Sequence, residues 1–234
     1  MSIEGLDEGL LDSGSVSTGI KELDETYISG IPRGSVIAVV ANPVTMAQQI
    51  AYALTRTDRK THYVSTLQRA SIVDSQLNDF LGVEELPERI ETYDTVTGRQ
   101  GENKSQKISK ITGRLGESDN ETENLVIDSF SNYVTYSDKQ EYLKMVREIH
   151  ERTQNTNALT YLFFGVGTLS DLERREKEAI NLCDGVFRID YDILGDDLQT
   201  YIDIIKLRGS EISDERVTLL VGDQLTVDTT RDIA

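Results

Sequence analysis

Short apolar runs alternate with amphipathic stretches along most of the chain. Ser35–Val40 (SVIAVV) is almost wholly apolar and rich in β-branched residues, which predicts a strand buried on both faces. Thr61–Thr66 (THYVST) and Arg89–Val96 (RIETYDTV) read as strands, and Asn124–Phe130 (NLVIDSF) and Ala158–Val166 (ALTYLFFGV) as further buried strands. Between these runs the period lengthens. Met46–Thr55 has the Ala, Gln, Ile and Leu content of a helix, and a second helix is predicted around Ile72–Leu81. Lys139–Thr153 places Tyr142, Val146 and Ile149 at helical spacing, and Leu172–Leu182 is a charged amphipathic helix. Gly98–Asn124 is polar and reads as a weak helix flanked by loop. Three more strands, in Asp184–Asp190, Tyr201–Arg208 and Arg216–Gly222, are expected to close the chain, antiparallel at the sheet edge.

Strands that alternate with helices imply βαβ units, hence an α/β fold with a mostly parallel central sheet flanked by helices. Residues 1–16 are expected to be a flexible N-terminal arm and 17–234 a single domain. Ligands of such sheets sit beyond the carboxyl ends of the strands. The turn after the first long strand, Ala41–Gln48, and Asp128 at the end of another fall at such ends, so chemistry is to be sought there.

Charge changes the picture in one respect. The chain has 24 Lys and Arg against 41 Asp and Glu, a net charge of −17, with the acids scattered rather than gathered in a tail. Arginines number 15 and lysines 9. Scattered acid with little lysine resembles the surfaces of halophilic archaeal proteins, so the charge carries little information about partners. Direct nucleic-acid binding is disfavoured, because phosphate contacts need basic clusters and no basic stripe is present. Cys183 is the single cysteine, which excludes an internal disulfide and a cysteine metal site. The acidic start MSIEGLDEGL is unlike a signal peptide, and no apolar run approaches the roughly 20 residues of a membrane span. A soluble, cytoplasmic protein is expected.

Ser17–Pro43 (STGIKELDETYISGIPRGSVIAVVANP) resembles the opening of RecA-superfamily ATPases of the KaiC and RadA/RadB type, with Thr18, Gly19, Leu23, Asp24, Gly30, Ile31, Pro32 and Gly34 at the matching positions. Leu125–Ser129 (LVIDS) looks like that family's Walker B strand. Cys183–Ile189 (CDGVFRI) and Ile204–Ser210 (IIKLRGS) are similar to later elements of KaiC-like domains. The resemblance runs from Ser17 to about Thr226 and implies a RecA-like P-loop fold.

The departures fall on the active positions. The family's phosphate loop, Gly-x-x-x-x-Gly-Lys-(Ser/Thr), aligns without gaps on Ala41, Asn42, Pro43, Val44, Thr45, Met46, Ala47 and Gln48, and every signature residue has changed. Glycine at 46 would leave backbone N–H groups bare for phosphate, lysine at 47 would supply a cation, and a hydroxyl at 48 would hold magnesium. Methionine, alanine and glutamine do none of this. The glutamate that polarises water at the end of the second strand is replaced by Leu67 and Gln68. The resemblance therefore implies a pseudo-ATPase without catalytic residues or bound cofactor. Such a protein would act through protein contacts, with an active RecA- or KaiC-like paralogue as one partner. Two alternatives stay open: an unconventional nucleotide-binding ATPase using ATP and magnesium through Asp128, Lys206 and Arg208, and a RadA/RadB-like recombination mediator.

Other residues have a functional and a plain reading. Asp128 holds a metal through water, or it satisfies neighbouring donors. Lys206 and Arg208 reach a neighbouring subunit's nucleotide, or they face solvent or a carboxylate. Arg174 and Arg175 fit a solvated helix face with Glu partners. Tyr133 and Tyr136 stack on a base or a partner, or fill amphipathic surface. His62 and His150 lack a second set of metal ligands.

Overall fold

The structure, a computed structural model, describes residues 14–45, 47–97, 104–116, 122–133, 137–166, 171–194, 197–212, 216–221 and 225–227. The strands are β1 (Ser15–Val16), β2 (Ile31–Pro32), β3 (Val36–Ala41), β4 (Thr61–Ser65), β5 (Ile90–Asp94), β6 (Asn124–Asp128), β7 (Leu159–Gly165), β8 (Gly185–Leu194), β9 (Asp197–Leu207), β10 (Val217–Val221) and β11 (Leu225–Val227). The helices are α1 (Lys21–Thr26), α2 (Ala47–Ala53), α3 (Ala70–Leu81), α4 (Lys104–Thr112), α5 (Lys139–Thr156) and α6 (Arg174–Leu182). Nine strands form one sheet in the order β11-β10-β9-β8-β3-β7-β6-β4-β5. From β5 to β8 every neighbouring pair is parallel. The antiparallel portion begins where β9 pairs with β8, so β8 itself still runs with the core.

Why β3 lies at the centre follows from its composition. Ile37, Val39 and Ala41 point into one apolar layer and Val36, Ala38 and Val40 into the other, all buried. A strand with no polar face is stable only when helices cover both sides. The first layer packs α1, α2 and α3 through Leu23, Ile50, Val73 and Leu77; the second packs α4, α5 and α6 through Ile108, Val146, Ile149 and Ile180. Each fully buried aliphatic side chain of this kind stabilises the fold by about 1.5–3 kcal/mol before conformational entropy is subtracted.

Helix ends follow local chemistry. Asp138 begins α5 by accepting hydrogen bonds from the Gln140 and Glu141 N–H groups at 2.8 and 2.9 Å. Asn157 ends it with φ +54°, and Gly82 ends α3 with φ +67°.

Ser15 and Val16, the last residues of the expected arm, pair antiparallel with Ile31 and Pro32, and Val16 is buried. The rest of that arm, residues 1–13, lies outside the described residues. The Ser-Thr-Gly and Leu-Asp portions of the N-terminal motif form one buried knot. The Asp24 carboxylate accepts from the Ser17 hydroxyl at 2.6 Å and from the Thr18 N–H at 2.9 and 3.0 Å. Arg59 donates to the Ser17 carbonyl and, at 3.0 Å, to Asn124 Oδ1, which ties the knot to β6. Gly19 turns the chain with φ +91°, and a Cβ there would stand 2.8 Å from the Ala53 carbonyl oxygen, so only glycine fits.

Among the described residues no helix is long and apolar enough to cross a membrane.

Candidate functional site

Register brings four strand ends to one level. Ala41 of β3 lies opposite Gly165 of β7, and Ser65 of β4 lies opposite Asp128 of β6. With the order β3-β7-β6-β4, their carboxyl ends open into a cleft of about 470 Å³. Ala41, Pro43, Ala47 and Gln48 line one side, and Ser65, Leu67 and Gln68 the other. Asp128, Ser129, Ser131, Asn132, Phe163, Phe164 and Gly165 complete the wall. Asp128 is the only charged residue among the described residues that line it, and no lysine or arginine is among them.

The turn that leads out of β3 is closed on itself. The Thr45 N–H and hydroxyl both donate to the Asn42 carbonyl, at 3.0 and 2.6 Å, and the Val44 N–H lies 3.3 Å from Asn42 Oδ1. The Asn42 N–H donates to the Ile189 carbonyl of β8 at 3.0 Å, and Pro43 has no N–H. Backbone donors at 42, 44 and 45 are thus spent within the protein, where an anion cradle needs them free and convergent. Thr45 is fully buried and Val44 exposed, so neither reaches the cleft; of the eight positions expected at this site, Ala41, Pro43, Ala47 and Gln48 do. Met46 lies outside the described residues.

Beside the turn is a neutral network. Gln48 donates to Gln68 Oε1 at 3.1 Å and to Gln76 Oε1 at 3.2 Å, and the Tyr52 hydroxyl donates to the same Gln76 oxygen at 2.8 Å. Gln48 and Gln68 stand where the resemblance would place a magnesium ligand and a water-polarising base, and here the two amides hold each other. Asp128 accepts at Oδ2 from the Tyr63 hydroxyl at 3.0 Å. Burial pushes the Asp128 carboxyl above its ordinary range, against the lowering effect of that hydrogen bond. Tyr63 is pushed well above the ordinary phenol range, chiefly by burial and further by Asp128. Tyr52 is raised too, by burial first, so both phenols stay protonated at neutral pH. Of the two readings of Asp128, satisfaction of a neighbouring donor is met by Tyr63. No group of three or more His, Cys, Asp or Glu residues suited to a metal occurs among the described residues.

Replacing Tyr63 by phenylalanine removes its hydroxyl donor from Asp128 Oδ2 while keeping the ring. The expected result is a loss of about 1–2 kcal/mol in chemical denaturation, from leaving the buried carboxyl oxygen without its donor.

The remaining candidates lie elsewhere. Lys206 donates to the Cys183 carbonyl, and Arg208 pairs with Asp184 at 3.3 Å. Asp184 also accepts from the Val36 N–H at 3.0 Å, at the amino end of β3, the end of the strand away from the cleft. His150 Nε2 is 3.2 Å from the same carboxylate. His62 is fully buried between Glu91 and Glu123, each 3.7 Å away, and desolvation lowers its pKa. Burial pushes the Cys183 thiol up to about 12, far from a reactive thiolate. Arg174 pairs with Glu178 at 3.2 Å, as a solvated helix face would, and Arg175 donates to the Ser137 carbonyl at 2.7 Å. Tyr133 belongs to the core, 1 % exposed, so it neither stacks on a ligand nor fills surface; Tyr136 is outside the described residues. Gln76, Tyr52 and Tyr63 were not legible as site residues, because each sits in an ordinary amphipathic or buried position with no motif around it.

A sequence model of a family of unknown function, DUF7125, matches residues 15–234. No curated protein matches the chain. Among solved structures, a KaiC-like protein from the hyperthermophilic archaeon Pyrococcus horikoshii OT3 has the same fold, with a TM-score of 0.73 at 18% identity over 91% of this chain and 98% of that one. The α/β architecture is thus of the RecA-like, KaiC-like type.

Proposed function

The chain belongs to the family of unknown function DUF7125, and we propose that it is a pseudo-ATPase: a RecA/KaiC-like domain that keeps the nucleotide-binding architecture, has lost the phosphate chemistry, and works as a cytoplasmic regulator or scaffold through protein contacts. One observation supports this above the others. The cleft at the strand ends offers a polyphosphate no described cation and one carboxylate, and in the turn beside it the N–H groups of 42, 44 and 45 are spent within the protein. A single charged phosphate partner in such a site is worth on the order of 2–5 kcal/mol. Without the lysine, the N–H groups of 42, 44 and 45 and the magnesium hydroxyl, ATP binding has little compensation for bringing its charge beside Asp128. The turn Ala41–Gln48 is then a degenerate Walker A loop retained for packing, and an active RecA- or KaiC-like paralogue is the partner class that the architecture suggests. The scattered acids and the excess of arginine over lysine fit a halophilic setting.

Calorimetric titration with ATP and magnesium, at moderate and at molar KCl, tests the reading. No heat and no thermal stabilisation are expected in either salt. Micromolar binding that disappears in Asp128→Ala would overturn it in favour of an unconventional nucleotide-binding enzyme. The scaffold role is tested apart from this, by capture of partners from the native organism's extract: no RecA- or KaiC-like protein recovered, with the chain a monomer at working concentration, would remove the paralogue as partner.

A further inference from the structure

We propose that the cleft is a receptor for a cationic side chain, arginine above all, presented among apolar residues by a partner protein. The inference rests on the pseudo-ATPase reading and gives its vacated site a ligand class. Asp128 Oδ2 is taken by Tyr63, while Oδ1 has no hydrogen-bond partner among the described residues. That oxygen, on a carboxyl otherwise held by Tyr63 and lining an open cleft, is an acceptor that a cation can meet. Nothing described in the lining supplies one.

The surroundings of that oxygen specify the rest. The same cleft is lined by the neutral side chains of Gln48, Gln68, Ser131 and Asn132, whose oxygens can accept the remaining N–H groups of a guanidinium. The lining also has an apolar part, Pro43, Leu67 and Phe163, of which Leu67 is 61% exposed. An arginine buries its methylene stem along such a wall and sets its planar head on the carboxylate, with a lower dehydration cost than the compact ammonium of lysine. The exposed Leu67 would be covered by the apolar neighbours of that arginine. An anionic ligand faces Asp128 and a chain of net charge −17; a neutral one leaves the open carboxylate oxygen without a cation.

The test uses the full chain and capped tripeptides Leu-X-Leu, with X as Arg, Lys, norleucine or Glu, followed by amide chemical shifts. The Arg peptide is expected to bind saturably and to shift Ala41, Ser65, Leu67 and Gly165, the Lys peptide more weakly, and the other two not at all. Asp128→Asn keeps the shape and the acceptor for Tyr63, and should weaken the Arg peptide at least about tenfold. Glu85→Gln, an exposed acid on a distant loop, should leave it unchanged, which separates a specific pair from general attraction to an acidic protein. Leu67→Arg, at an exposed position where folding is not at stake, should abolish binding. Equal affinity for the norleucine peptide, or an Asp128→Asn protein that binds as well as the parent, would overturn the proposal. If the Arg peptide and ATP both fail to bind, this inference falls and the pseudo-ATPase reading stands; if ATP binds, both fall.

Discussion

Asp24→Ala is expected to cost about 3–5 kcal/mol of folding stability, the range for removing one partner from a buried, charged hydrogen-bond set. The carboxylate is 5% exposed and is the acceptor for the Ser17 hydroxyl and the Thr18 N–H, so truncation leaves a buried backbone donor without a partner. Chemical denaturation measures the loss, and a loss below about 1 kcal/mol would mean that water replaces the carboxylate. The same residue sets a pH dependence. Burial raises its pKa from the ordinary 3.8 to about 6, despite lowering contributions from Ser17, Thr18 and Arg59. A carboxyl raised in the folded state contributes stability that is fully present below its unfolded value and is lost as pH rises through the folded one. Between about pH 4 and about pH 7, therefore, Asp24 lowers stability progressively. Asp24→Asn should flatten that part of the curve. Contributions such as that of His62, whose lowered pKa acts in the opposite sense, cancel when parent and variant are compared.

Phe130→Ala should cost a similar amount, about 3–5 kcal/mol, by opening a cavity in the second apolar layer. Phe130 is fully buried and its ring lies 5.3 Å from Tyr142, 5.6 Å from Tyr133 and 5.7 Å from Phe164, centroid to centroid. Its N–H donates to the Phe163 carbonyl at 2.6 Å, immediately beyond Asp128 and Ser129. The loss should therefore be accompanied by shifted amide resonances at the cleft. Phe130→Leu, which retains much of the volume, should cost clearly less. Equal losses for alanine and leucine would point to the aromatic contacts rather than to volume.

The fold was largely legible from the chain, and for a local reason. Side chains alternate with a period of two in strands, so Ser35–Val40, with both alternating sets apolar, could only be a strand covered on both faces. The helix containing Tyr142, Val146 and Ile149 was equally plain from its spacing. Boundaries were less so: α2 ends at Ala53 rather than Thr55, and β5 is shorter than Arg89–Val96, because termini depend on caps and pairing that periodicity does not carry.

At the candidate site the sequence determined which groups are present: no lysine at 47, no glycine at 46, no glutamate after β4, and an aspartate ending β6. Which of them meet was decided only by the tertiary structure. Strand order sets Tyr63 against Asp128, 65 residues on, and Gln48 against Gln76, 28 residues on. It also puts Lys206 and Arg208 with Cys183 and Asp184 at the far end of β3, away from the cleft. Hydrophobic period is a property of neighbouring residues. The partners of polar groups depend on which distant strands the sheet brings side by side, and the spacing of apolar residues does not encode that order.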